Sequence, residues 1–243
     1  MTRRNGFALL ISLVGTGGLL VVLILYAGTA DALPVLAASF LERSIADAAT
    51  VNVVSTVLLD YRAFDTLGEA TVIFASVTGV SALFVGAHLT PKSRGAGILV
   101  ERAIGYLAAF FWLFPVYIVL FGHLSPGGGF QGGVALAVLI ILLNVVYGTE
   151  RGSTVMTTHR LHLFEDAGAL AFLLIGAVGI VQGSAFLANL AAGFPGGSPG
   201  SLLSAGAIPL LNLAIGIKVA SGLATIFYEF LSTWSTTGSE STE

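Results

Sequence analysis

The chain has 243 residues, 56% of them hydrophobic and only 9% charged, with 31 glycines, no cysteine and a formal net charge of −3. Soluble domains carry about 25% charged residues, so a mean hydropathy of +0.95 excludes a water-soluble globular fold. The basic residues are scattered and give no nucleic-acid surface, and the absence of cysteine removes disulfides, thiolate catalysis and thiolate metal sites together.

A window near the roughly 20 residues needed to span a bilayer gives about six candidate membrane helices, hence an all-α, polytopic membrane protein. The first, Phe7 to Ala27, comes after Arg3 and Arg4. Its apolar stretch is longer than the about 7 to 15 residues of a signal-peptide core, so it reads as a retained helix. Next comes a long segment from Gly28 to Thr66 with a nearly continuous apolar run, Val51 to Leu59, too short to span and too apolar to stand in water. That run is expected to be partly re-entrant or packed on a partner, with an ordinary hairpin as the alternative.

The second span reads as Leu67 to Ala87, and Thr66-Leu67-Gly68-Glu69 at its start has the spacing of a capping box. The same neighbourhood holds Asp60, Asp65 and Glu69, which could instead form the acidic mouth of a cation or proton path, because carboxylates at membrane depth can exchange protons. Spacing leaves both readings open. The third span is Leu99 to Phe121, with Pro115 expected to kink it.

Then comes the motif His123-Leu-Ser-Pro126-Gly127-Gly128-Gly129-Phe-Gln-Gly132-Gly133, which runs directly into the fourth span, Phe130 to Tyr147. Irregular glycine-rich backbone next to a membrane helix must be packed within protein or line water. His123 there could shuttle protons or simply be hydrogen-bonded at the interface. No Lys-Ser or Lys-Thr comes after the glycines, so the run is not a phosphate loop.

The fifth span, Ala167 to Gln182, is short. Glu165 and Asp166 open it, as favourable partners of the helix dipole or as a proton entrance, and Gly176, Gly179 and Gly183 suggest close helix packing. The sixth, Ala205 to Leu231, carries Lys218 roughly 18 Å from either end at about 1.5 Å per residue. A lysine stem cannot snorkel that far, and an ammonium at the bilayer centre costs at least about 2.5 to 3.5 kcal/mol, so Lys218 must face a polar cavity, pair with a carboxylate, or be neutral. His88, His159 and His162 lack further ligands at useful spacing, so no metal site and no cofactor is expected.

Placing the N-terminus inside puts Arg3, Arg4, Lys92, Arg94, Arg102, Arg151 and Arg160 in cytoplasmic segments and only Arg43 and Arg62 outside. The excess of positive charge inside supports that orientation, with both termini cytoplasmic in a cell (inner) membrane. The end of the chain, residues 235–243, has the composition of a disordered tail.

Two segments carry a family resemblance. Gly122-His-Leu-Ser-Pro-Gly-Gly-Gly-Phe-Gln-Gly-Gly133 closely resembles the signature of the B subunit of Mrp-type multisubunit sodium/proton antiporters, and Ile208-Pro-Leu-Leu-Asn-Leu-Ala-Ile-Gly-Ile-Lys-Val-Ala220 resembles that subunit's closing helix. Upstream, Asn52 to Glu69 resembles the C-terminal part of the large A subunit, which elsewhere can be a separate small subunit; here the pieces are joined. The resemblance implies two parts, residues 1–90 like the A-subunit end and residues 91–234 like a four-helix B subunit. It further implies an accessory, non-enzymatic component of a cation/proton antiporter assembly, with other subunits, sodium ions and protons as partners. Glu69 is carried over as an ion-path carboxylate, and His123 and Lys218 as conspicuous polar positions. Related modules occur in membrane-bound hydrogenases and sulfur reductases related to respiratory complex I, so a redox-driven assembly and a purely structural scaffold are the alternatives.

Overall fold

The computed structural model of the protein describes residues 14–18, 20–22, 24–25, 35–84, 95–148 and 157–237, with side chains as far as Phe230. All regular structure among them is helical: α1 (Val35–Ala48), α2 (Val53–Thr56), a π-helical turn (Val57–Tyr61), α3 (Ala63–Leu83), α4 (Ile98–Leu120), α5 (Gly129–Tyr147), α6 (Thr158–Val181), a 3-10 turn (Leu190–Ala192) and α7 (Ile208–Thr237). The backbone falls into two units, residues 1–42 and residues 43–243. Within the first, residues 14–18, 20–22 and 24–25 are helical; the rest of the expected first span lies outside the described residues. The second unit contains the helical bundle.

Helices α3, α4, α5, α6 and the Ile208–Phe230 part of α7 are long and apolar enough to cross a membrane. The shortest has 19 residues, about 28 Å of helix against a hydrocarbon core of about 30 Å. Helix α7 is the hub. Two thirds of its apolar window is buried, 67%, against 11% for α4, and it packs against each of the other four spans.

Lipid is as apolar as leucine, so helices in a bilayer associate by close fit rather than by escape from water. The glycines supply that fit. A Cβ on Gly129 would collide with the Asn212 carbonyl of α7, one on Gly133 would meet the Gly216 carbonyl and Val219, and one on Gly168 would meet the Ala214 carbonyl and the Lys218 backbone. Gly132 turns the other way, against Val119 and the Pro115 carbonyl of α4. Gly176 and Gly179 are also closely approached, but by Phe186, Leu187 and Ala185 of the segment after α6 rather than by another span. Gly183 has open space and a φ of +74°, which ends the helix in the left-handed conformation.

One end of the bundle is closed by residues 43–62, 121–128 and 182–207 together. Asn52 joins the first two. Its Oδ1 accepts from Val54 N at 3.1 Å and caps α2, while Nδ2 donates to the carbonyls of Gly122 at 2.7 Å and Ser125 at 2.9 Å. The hydroxyls of Thr50 and Ser55 donate to the carbonyls of His123 and Gly122. Asn189, 3% exposed, accepts from Ala207 N at 2.7 Å and so satisfies a donor at the start of α7. The apolar run Val51 to Leu59 is thus an α2 and π-turn segment held by this chain's own loop, with Leu59 buried and Val51, Val54 and Leu58 still exposed.

Among the boundaries that differ from the sequence reading, three change the setting of a named segment. Helix α3 begins at Ala63, so Thr66 lies inside it and the capping box does not form; its hydroxyl donates to the Leu58 carbonyl at 2.6 Å and ties α3 to the π turn. Helix α6 begins at Thr158 because Thr157 caps it by accepting from Arg160 N at 3.3 Å, which puts Glu165 and Asp166 inside the span instead of at its start. Helix α7 runs to Thr237, so residues 235–237 of the expected tail are helical, and residues 238–243 lie outside the described residues.

The packing of Gly129 and the burial of Asp60 can each be tested. Gly129→Ala cannot be accommodated by a side-chain shift, because the obstacle is backbone; overpacking of this kind costs about 1 to 3 kcal/mol. The variant is expected to melt several degrees lower in a detergent-extracted assembly, while Gly183→Asn, at an open left-handed position, stays within a degree or two. The carboxyl of Asp60 is pushed by burial from 3.8 up to about 6, with Asp47 adding to the rise and the neighbouring Asn189 amide opposing it. The folded chain keeps a proton there that the unfolded chain releases, so this contribution to stability is present at low pH and lost as pH rises from about 4 to 6. Asp60→Asn should flatten that part of the melting-temperature profile, and an unchanged profile would contradict the assignment.

Candidate functional site

Glu69 and the glycine motif line the same cleft. Glu69 lies on α3, and the cleft, about 30 Å³, is shared with Ser55, Thr66, Gly127 to Gly129, Gln131 and Asn212. That volume holds about one or two waters. Three segments distant in sequence thus line one cleft, whose other walls, Leu58, Leu59, Phe130 and Ile215, are apolar, and Glu69 itself is exposed. Asn212, 2% exposed on α7, accepts from Gly129 N at 2.8 Å, which caps α5 from another helix. Gly128, at φ +142°, sits against Asn212 Oδ1 and Gln131 Oε1 and takes a conformation that side-chain-bearing residues avoid.

Deeper in the bundle, Lys218 of α7 meets Glu165 of α6. Its Nζ is 3.5 Å from Glu165 Oε1, and both side chains are 2% exposed. The pair is ten residues beyond Ile208, about 15 Å along the helix. Glu165 packs on Gly222 one turn further along α7, where a Cβ would lie 3.2 Å from its carboxylate. Phe74 of α3 covers the cation, its ring centroid 5.5 Å from Nζ. Neither Lys218 Nζ nor Glu165 Oε1 makes a hydrogen bond among the described residues. A pair at this distance with unsatisfied donors and acceptors is loosely held, and either proton arrangement leaves its total charge unchanged.

Past Lys218 the same side of α7 carries Ser221, Thr225 and Tyr228, all buried. Ser221 Oγ donates to the Ile217 carbonyl at 2.7 Å and Thr225 Oγ1 to the Ser221 carbonyl at 2.9 Å. Asn144 of α5, 3% exposed, donates to Ile140 O at 2.9 Å and leaves its Oδ1 without a hydrogen bond among the described residues. Sequence reasoning singled out Lys218 and missed these buried polar residues. The signal was present in the spacing, since Lys218, Ser221, Thr225 and Tyr228 recur at three and four residues and share one helix side.

The remaining candidates are dispersed. His123 is fully buried in the loop before α5, and neither ring nitrogen makes a hydrogen bond among the described residues. Burial holds its pKa below 6.5, against a smaller opposing effect of the backbone at Ser201 and Leu202, so the ring is neutral at pH 7. Asp65 is exposed and pairs with Arg62 one turn away. Asp60 stands beside Asn189, and Asp166 faces outward next to the buried Glu165. Pro126 is exposed at the tip of the motif loop.

Two family models match the chain. One describes a domain related to the MnhB subunit of the Na+/H+ antiporter and matches residues 99–225; the other describes the E subunit of MBH and matches residues 2–93. An uncharacterized protein of Methanocaldococcus jannaschii is 34% identical, with 72% of this chain and 74% of the relative covered. The A/B subunit of a probable K+/H+ antiporter from Rhizobium meliloti is 32% identical over 56% of this chain, which spans only 16% of that much longer relative. Among solved structures, a chain of the membrane-bound sulfane sulfur reductase, an archaeal respiratory membrane complex, superposes with a TM-score of 0.72 at 30% identity, covering 92% of this chain and 98% of that one. Residues 99–225 are just over half of the chain, which therefore belongs to the family of domains related to the MnhB subunit of the Na+/H+ antiporter.

Proposed function

We propose that this protein is an accessory subunit of a multisubunit monovalent cation/proton antiporter module, contributing both to the ion path and to assembly. The observation that carries this reading is the fully buried Lys218–Glu165 pair on the central helix of a membrane bundle. Charged residues at such depth are expensive and mark ion and proton routes. Glu69 at the glycine motif is the second element, a carboxylate at the outer-end cleft where three segments converge. Residues 1–90 form the part like the A-subunit end and residues 91–234 the B-like part. Both termini face the cytoplasm of a cell (inner) membrane, and the capped end with Asn52, His123 and Asn189 faces outward. The protein performs no chemistry of its own.

A second reading is supported by one observation. The matched chain of the sulfane sulfur reductase complex is covered almost end to end, 98%, so the same subunit could serve a redox-driven assembly. Mass spectrometry of what copurifies after gentle detergent extraction separates the two. Antiporter subunits alone support exchange driven by an existing gradient, and iron–sulfur or nickel-containing subunits support redox drive.

Removing one member of a buried ion pair typically costs about 3 to 5 kcal/mol, so the informative variants are Glu165→Gln with Lys218→Met together, and Glu69→Gln alone. In reconstituted vesicles of the whole assembly, each is expected to cut sodium- or potassium-dependent proton exchange by about tenfold or more while the subunits still copurify in wild-type ratio. Wild-type exchange in the double variant would make the pair a structural element and favour a scaffold role.

A further inference from the structure

Asp166 stands exposed on the outward face of α6, well inside its apolar span. It lies eight residues after Thr158, 166 less 158, in a helix of 24 residues, which is about 12 Å along a rod of about 36 Å. Centring that rod on a hydrocarbon layer of about 30 Å sets Asp166 about 9 Å below the nearer surface. An aspartate has a single methylene and cannot snorkel that far. Leu163, Leu170 and Leu174, each more than half exposed, recur with Asp166 at spacings of three and four residues, so one apolar stripe of the helix carries one carboxylate. Of the spans, α6 packs chiefly on α7. The stripe is turned away from that contact, because Leu161, Glu165, Gly168 and Phe172 are the residues buried there. Among the described residues Asp166 makes no hydrogen bond and no ion pair, even with half-buried His162 one turn earlier.

A carboxylate at this depth is not stable against lipid tails. Ionised, it is among the costliest groups to hold in hydrocarbon, and protonated it keeps an O–H and a carbonyl with nothing to bond. The flanking leucines supply no donor, whereas a lysine or arginine arriving from outside brings charge-assisted N–H groups that match the oxygens directly. We propose that the Leu163, Asp166, Leu170 and Leu174 face of α6 is the docking site for a transmembrane helix of a partner subunit that presents a lysine or arginine to Asp166. The leucines form the apolar contact around the charge, and the small side chain of Ala167 beside Asp166 lets the second helix come close. Glu165 and Asp166 leave α6 about 100° apart, so one carboxylate holds Lys218 within the subunit and the next holds a cation across the interface. This inference rests on the reading of the chain as one subunit of a larger membrane assembly.

The test is photocrosslinking in the intact assembly from a benzoylphenylalanine introduced at position 163 or at position 170, on either side of Asp166. The adducts are expected to map by mass spectrometry to one transmembrane helix of a partner and to bracket a lysine or arginine on it. Their yield should fall at least about tenfold with Asp166→Asn, which keeps the size and loses the charge, and survive Asp166→Glu, because losing one side of a charge contact mainly speeds dissociation. Copurification lost with Asp166→Asn and kept with Asp166→Glu supports the proposal equally, provided the variant subunit melts in detergent within a degree or two of wild type, as an exposed position predicts. A melting temperature lowered by several degrees would make Asp166 an internal structural element and overturn the proposal. Adducts with lipid alone, a partner helix with no basic side chain between the two crosslinks, or a yield indifferent to Asp166→Asn overturn it as well. A wild-type subunit that copurifies with no other membrane subunit would overturn the assembly reading itself, whereas partners present with crosslinks unchanged in Asp166→Asn would reject only the docking face, so the two failures are distinguishable.

Discussion

Backbone approach to α7 is the constraint on which the bundle rests. Gly129, Gly133 and Gly168 let α5 and α6 press their main chains onto α7, where a methyl group would strike carbonyl oxygen or backbone nitrogen. Because lipid offers no hydrophobic reason for helices to associate, this fit carries much of the cohesion. It also fixes the polar chemistry. With Gly168 against Lys218, the Glu165 carboxylate one turn earlier is brought within 3.5 Å of the ammonium, and with Gly129 against Asn212 the α5 N-terminus finds its acceptor at 2.8 Å.

The capped end works by a different principle. There, main-chain groups that no helix satisfies are paired with buried side-chain amides and hydroxyls: Asn52, Thr50, Ser55 and Asn189. Such local networks are stiff when complete and costly when broken. The bundle is therefore glycine-packed in its apolar length and amide-stitched at one end. The titratable residues Asp60 and His123 sit in the stitched region, away from the Lys218–Glu165 pair.

What was legible in the sequence was whatever depends on composition over a window. The spans around Leu99 to Phe121 and Phe130 to Tyr147 coincide with α4 and α5 within a residue or so. Charges misled where a long-range partner neutralises them. Glu165 and Asp166 resembled a helix boundary because a carboxylate is normally unwelcome inside a span, and the lysine that makes Glu165 tolerable is 53 positions away, 218 less 165. Thr66 to Glu69 resembled a capping box because its spacing is right, yet α3 had already begun at Ala63 and the threonine hydroxyl was committed to Leu58. The depth of Lys218, by contrast, was sufficient to mark it out, since no snorkelling geometry could explain it. The cleft shared by Glu69 and Gly127 to Gly129 was not legible from spacing, because it depends on how α2 and the π turn fold back onto the motif loop.

Helix α7 has 30 residues, about 45 Å of continuous rod against a hydrocarbon layer of about 30 Å. Its first end is anchored by Asn189 at Ala207 N, so surplus length is taken up by tilt or emerges on the opposite side of the membrane. One unbroken run of helical backbone thus joins the level of Lys218 to the last turns of α7.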